Sequence, residues 1–232
     1  MKIIKDNQSS FKTKQNKDIM GLVNQILKLK SDKKISSKIE KQLKSFKVLN
    51  KKNNEEWFSE LSFCILTANS KAQTAFNIQK LMNTRKPNGF LTLSQQELSK
   101  VIKENKHRFC NNKSKFIVEA RKYKNIKTIL NKEIKIGNDP REFLVKNIKG
   151  IAYKESSHFL RNVGFQNYAI LDRHILSLME IYSLIKERPK ALNKYNYSNI
   201  EKKLLSICRK TKMTQAELDM YLFYIRSGQI LK

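Results

Sequence analysis

Apolar residues recur three and four positions apart along nearly the whole chain, the spacing of one face of an α-helix. "IMGLVNQILKL" (19–29) has this pattern, and "NEEWFSELSFCILTANSKAQTAFNIQKLM" (54–82) predicts one or two helices, with Glu55 and Glu56 in a first turn where the helix dipole favours acids. Ser94 and Glu97 form a capping-box pattern before "ELSKVIKE", and "KSKFIVEARKYKNIKTIL" reads as one further helix. Asp139-Pro140 is a start signal for "REFLVKNI". Gly150 interrupts the pattern, "YKESSHFLRNV" resumes it, and Gly164 has the place of a C-terminal cap. "YAILD" leads to Asp172, which can cap "RHILSLMEIY". Ser198/Glu201 and Thr214/Glu217 are two more capping-box patterns, and the last helix is expected to end near Gly228. Strand-like alternation is nearly absent, and six Gly and three Pro leave few turns, so the fold class is all-α. The polar, basic residues at the start of the chain are expected to be disordered.

The length of 232 residues suits one large domain or two small ones sharing a core, and 40% hydrophobic residues supply that core. The longest apolar run, "LSFCILTA", is far too short to span a bilayer, and "MKIIKDNQSSFKTKQNKD" lacks the apolar stretch of a secretory signal. Cys64, Cys110 and Cys208 are too widely spaced for a zinc signature or a disulfide framework, which points to a reducing, intracellular compartment. The net charge of +28 points to a polyanion. Because 39 of the 48 basic residues are Lys and 22 residues are Asn, the bias of an AT-rich genome also accounts for part of this charge. A basic protein lying on a membrane surface would carry an amphipathic anchor helix, and none is visible.

Chemistry enters at "NIKGIAYKESSHFLRNVGFQNYAILDRHIL" (147–176). Two short helical patterns flank Gly150, and such a hairpin presents backbone N–H groups that hold a phosphate without reading sequence. Lys154 falls in the first turn of the second helix. There the dipole and the apolar neighbours Ile151, Tyr153 and Phe159 favour a neutral amine, the form that attacks an electrophilic carbon. Read singly, each residue has an ordinary explanation: Lys154 as a solvated lysine, Asp172 as a helix cap, His174 as a packed or exposed histidine.

Together they resemble the helix-hairpin-helix signature of the base-excision DNA glycosylase superfamily, with the lysine four residues after the hairpin glycine and the aspartate 18 residues beyond it. "FCILTANSKAQTA", "RFCNNKSKFIVEARKY", "YKESSHFLRNVGF", "AILDRHIL" and the terminal "SGQILK" are similar to the type-2, archaeal-type 8-oxoguanine DNA glycosylase/lyase family, from about residue 20 onward. Ala152 stands where that family carries a second glycine. Only Cys208 lies in the region where the endonuclease III branch holds an iron–sulfur cluster, so no cluster is expected.

The resemblance implies two helical subdomains flanking a DNA-binding cleft. One is 54–168, with the helix-hairpin-helix at about 140–164; the other is 1–53 with 169–232. It implies removal of 8-oxoguanine and strand cleavage by β-elimination, with Lys154 as the Schiff-base nucleophile and Asp172 stabilising positive charge on the sugar. Gly150, Ala152, Lys71 and His174 would contact DNA, and Asn69 would fill the gap left by the extruded base. Lys232, through a terminal carboxylate, Phe223 and Cys110 would read the lesion. It further implies no catalytic metal and no cofactor beyond a monovalent cation at the hairpin carbonyls. The protein is expected to be a monomer acting on double-stranded DNA, nucleoid-associated in a prokaryotic cytoplasm. Two other readings remain open: a glycosylase of this type for another damaged base, and a non-catalytic helix-hairpin-helix DNA-binding module, which would not need the Lys154–Asp172 pair.

Overall fold

The computed structural model describes residues 19–232, in which regular structure is helical throughout and no strand occurs; the expected disordered start lies outside the described residues. In chain order the helices are α1 (19–31), α2 (Lys33–Lys51), α3 (Asn54–Thr67), α4 (Ala72–Asn83), α5 (Gly89–Thr92), α6 (Gln95–Glu104), α7 (Cys110–Ala120), α8 (Ile126–Lys135), α9 (Pro140–Asn147), α10 (Tyr153–Asn162), α11 (Arg173–Ile181), α12 (Lys194–Thr211) and α13 (Gln215–Ser227).

The local signals decide most boundaries. Ser94 and Glu97 close a reciprocal cap on α6, Asp139 caps α9 with Pro140 at its first position, and Gly228 ends α13 with φ +67°. Three readings need correction. "KSKFIVEARKYKNIKTIL" is not one helix: it breaks at Arg121–Tyr123, where the Arg121 guanidinium turns inward to bond the carbonyls of Phe90 and Leu93. Ser198 does not start α12, which begins four residues earlier under an Asn193 cap. At Thr214 only the hydroxyl half of the capping box forms, accepting from the Glu217 N–H.

Contacts divide the chain into two compact units, one of Phe46–Phe165 and one of Gln166–Lys232 with the described part of Met1–Ser45. The boundaries differ from 53/54 and 168/169 because the end of α2 belongs with the central unit. There Phe46 is buried under the Arg161 guanidinium, and Asn50 donates to the Val163 carbonyl.

The Phe46–Phe165 unit is organised around α3, in which every residue from Trp57 to Thr67 is buried. A helix buried on all sides must satisfy its polar side chains internally. Ser59 donates to Asn83, and the Glu60 carboxylate accepts from Asn162 and Gln79. In the other unit, α11 packs on α13 and α12 packs on α13. The extended segment before α11 is held by buried side chains. The N–H groups of Ala169, Ile170 and Leu171 donate to Glu201, Asp219 and Tyr197, at 3.1, 3.2 and 3.1 Å.

Trp57 is 1% exposed, meets Phe159 and Phe165 edge-on, and donates its indole N–H to the Leu49 carbonyl at 3.0 Å. Trp57→Ala is therefore expected to cost about 3–5 kcal/mol of stability, measured by denaturant unfolding followed by circular dichroism. A loss below about 1 kcal/mol would show that α3 is not the centre of this unit.

Candidate active site

The hairpin forms as its sequence implies. α9 ends at Asn147, Ile148–Ala152 turn the chain, and α10 starts at Tyr153. Gly150 sits at φ +85°, and a Cβ there would lie 2.4 Å from the Phe116 ring, so glycine is required both by conformation and by the approach of α7. An open cleft of about 710 Å³ adjoins the turn, with Lys122, Tyr123, Lys146 and Lys149 among its walls. Lys149 pairs with Glu119 at 3.1 Å. The Ala152 N–H does not face outward for a phosphate as expected. It donates to the Glu155 carboxylate at 3.2 Å, the one half of a capping box that an alanine permits.

Lys154 stands in the first turn of α10 with its side chain 29% exposed. The expectation of an apolar setting needs correction, because its Nζ lies 2.9 Å from Oε1 of Glu155, a carboxylate that is itself almost fully buried. Sequence reasoning passed over Glu155, although its place three residues after the helix N-cap was a legible signal.

A second lysine, also missed, lies close by. Lys113 of α7 is 5% exposed and donates to the Ile65 carbonyl at 2.6 Å. Burial, and to a smaller degree the charge of Lys154, pull its amine down to about 8, while the charge of Glu155 opposes them. His107 donates Nε2–H to the Leu66 carbonyl at 2.9 Å, a tautomer set by its Nδ1 accepting from the Phe109 N–H. Burial pushes this imidazole below its usual value, so the ring stays neutral. The Thr67 hydroxyl bonds the Cys64 carbonyl and the Ser70 N–H bonds the Thr67 carbonyl, so all four last carbonyls of α3 have partners.

The turn beyond α3 carries Asn69, exposed and at φ +59°, with its carbonyl accepting from Arg108 at 3.0 Å. Lys71, exposed, precedes α4, and Cys110, half-buried, opens α7.

The remaining predicted residues belong to the other unit. Asp172 caps α11: its Oδ1 accepts from the N–H groups of His174 and Ile175 at 2.8 and 2.9 Å, and Oδ2 takes no part in either bond. The half-buried His174 ring meets Phe223 edge-on with centroids 5.6 Å apart. Phe223 and Lys232 are both half-buried. Among the described residues no group of three or more His, Cys, Asp or Glu could hold a metal ion, and no helix is long and apolar enough to cross a membrane.

Residues 39–213 match a family model described as 8-oxoguanine DNA glycosylase. A protein of Methanocaldococcus jannaschii named 8-oxoguanine DNA glycosylase/AP lyase is 45% identical over 213 residues, covering 92% of this chain and 100% of its own length. A protein of the same name from Korarchaeum cryptofilum is 41% identical, covering 91% of this chain and 98% of its own length. The fold matches the crystal structure of the Methanocaldococcus jannaschii enzyme in complex with a 15mer DNA containing 8-oxoguanine, with a TM-score of 0.85, 45% identity, and 91% and 99% of the two chains covered. It also matches that of the Thermotoga maritima 8-oxoguanine DNA glycosylase, with a TM-score of 0.83, 35% identity, and 92% and 100% covered.

Replacing Gly150 by Ala places a methyl group against Phe116 and forces a left-handed residue, which costs roughly 1–2 kcal/mol for the conformation alone. Gly150→Ala is expected to weaken duplex DNA binding at least severalfold in fluorescence anisotropy. Adding Phe116→Ala should restore only part of the loss, because the backbone strain remains. Unchanged affinity in the single variant would remove the hairpin from the DNA interface.

Proposed function

We propose a mechanism for this chain on the premise that it belongs to the 8-oxoguanine DNA glycosylase family: it is a bifunctional DNA glycosylase/AP lyase that removes 8-oxoguanine from double-stranded DNA and then cuts the strand. The observation that carries the catalytic assignment is the placement of Lys154 in the first turn of α10, four residues after the left-handed Gly150. A glycosylase must extrude its base before the sugar can be attacked, and the Gly150 N–H of the hairpin holds the backbone phosphate while this happens.

In the proposed reaction the Lys154 amine attacks C1′ of the deoxyribose as the glycosidic bond breaks, and the purine leaves with the bonding electrons. Asp172, with Oδ1 committed to the helix cap, turns Oδ2 toward the positive charge that develops on the sugar. The resulting iminium acidifies the neighbouring C2′–H, and β-elimination breaks the strand 3′ to the lesion. Asn69, exposed on a left-handed turn and tied back by Arg108, fills the gap in the duplex, with Lys71 beside it on the backbone. His174, braced by Phe223, takes a phosphate next to the flipped nucleotide.

Phe223, Cys110 and Lys232 are the residues proposed to read the lesion, with the Phe223 ring stacking on the base. The hairpin carbonyls offer neutral oxygens, a donor set suited to a monovalent cation, and no chemical step passes through such an ion.

Lys154→Gln is expected to bind 8-oxoguanine duplex normally and to give neither excised base nor a borohydride-trapped complex. Asp172→Asn retains an oxygen for the cap, so it should fold and melt like the parent while losing on the order of 10²-fold in single-turnover excision. Trapping by Lys154→Gln at the parental yield would assign the nucleophile to another residue. Separately, Phe223→Ala should weaken binding of lesion DNA by about 1–3 kcal/mol, with little change for undamaged duplex. Equal losses on both duplexes would make Phe223 a packing residue.

A further inference from the structure

The lysine that attacks C1′ must first lose a proton, and the structure places one carboxylate within direct reach of it. Glu155 Oε1 lies 2.9 Å from Lys154 Nζ, inside the distance for direct proton transfer. The other oxygen, Oε2, accepts from the Ala152 N–H at 3.2 Å, which orients the carboxylate beside the amine. Buried carboxylates are expensive unless paired, yet Glu155 is only 7% exposed. Its direct partner is Lys154; the amine of Lys113 is anchored instead on the Ile65 carbonyl in the last turn of α3.

Resting on the assignment of Lys154 as nucleophile, we propose that Glu155 accepts the proton from the Lys154 ammonium. In the step, the Nζ–H bond breaks and an Oε1–H bond forms. The freed lone pair then makes the Nζ–C1′ bond. On an abasic site the same lone pair adds to the C1′ aldehyde, and loss of water gives the iminium.

The other charged groups around α10 are already engaged. From α9, Glu142 accepts from the Tyr153 hydroxyl, and Arg141 lies over the Tyr153 ring and donates to Ser157. From α3, Glu60 accepts from Asn162, which also holds Arg161 of α10. His158 faces the Phe63 ring.

The test uses the whole protein on a duplex with a single abasic site, which removes base excision from the rate. Iminium formation is followed by single-turnover borohydride trapping from about pH 5 to 9. Glu155→Gln keeps an oxygen for the Ala152 N–H but cannot take the proton, so trapping is expected to slow by on the order of 10²-fold at every pH, with DNA affinity unchanged.

Parental trapping rates in Glu155→Gln would overturn the proposal. Lys154→Gln, run on the same duplex, separates the two levels. If it still traps, the nucleophile is wrong; if it does not trap while Glu155→Gln traps normally, only the present proposal falls.

Discussion

The C-terminal end of α3 is the constraint on which the Phe46–Phe165 unit depends. A helix that stops inside a protein leaves four carbonyl oxygens without intrahelical partners, and each one left bare in the interior costs as much as a lost hydrogen bond. Here Cys64, Ile65, Leu66 and Thr67 are all buried, and their carbonyls are taken by a hydroxyl, an ammonium, an imidazole and a backbone N–H. Two of these partners, His107 and Lys113, flank and begin α7, and Arg108 between them holds the next turn through the Asn69 carbonyl. The end of one helix thereby fixes the start of another, and the exposed turn between α3 and α4 is held on both sides.

Using a lysine for that cap has consequences beyond the helix. Burial lowers the proton affinity of that lysine, the charge of Glu155 opposes the effect, and Glu155 itself caps α10 and pairs with Lys154. One carboxylate therefore serves both the hairpin backbone and Lys154. The substitution of alanine for the family's second hairpin glycine fits the same arrangement: Ala152 lies in extended backbone at φ −123°, where a Cβ carries no strain.

The second unit solves a different problem with similar means. The residues before Asp172 run extended inside the protein, where no neighbouring strand takes their N–H groups. Glu201, Asp219 and Tyr197 substitute for that strand, and the Tyr197 hydroxyl also donates to the Ala169 carbonyl at 2.7 Å. Asp219 lies four residues before Phe223, so α13 carries both a support of the segment leading to Asp172 and the ring that braces His174.

The sequence by itself determined the all-helical class, most helix ends and the hairpin, because those depend on residues within one turn of each other: Ser94 with Glu97, Asp139 with Pro140, Gly150 at φ +85°, Asp172 with the N–H groups two and three residues on. It also singled out Lys154 and Asp172 as candidates, since a fixed spacing after a glycine survives without knowledge of packing. The break between α7 and α8 was not legible, because Arg121 leaves the helical line for carbonyls 31 and 28 residues away. Nor was the start of α12, where Asn193 and Ser198 offer equally good local caps. Among 39 lysines nothing in the chain singles out Lys113. Only the tertiary structure decided that it is buried, because its carbonyl partner lies 48 residues away. A lysine's identity says that it carries a proton; how tightly it holds that proton depends on the charges and solvent that folding brings around it.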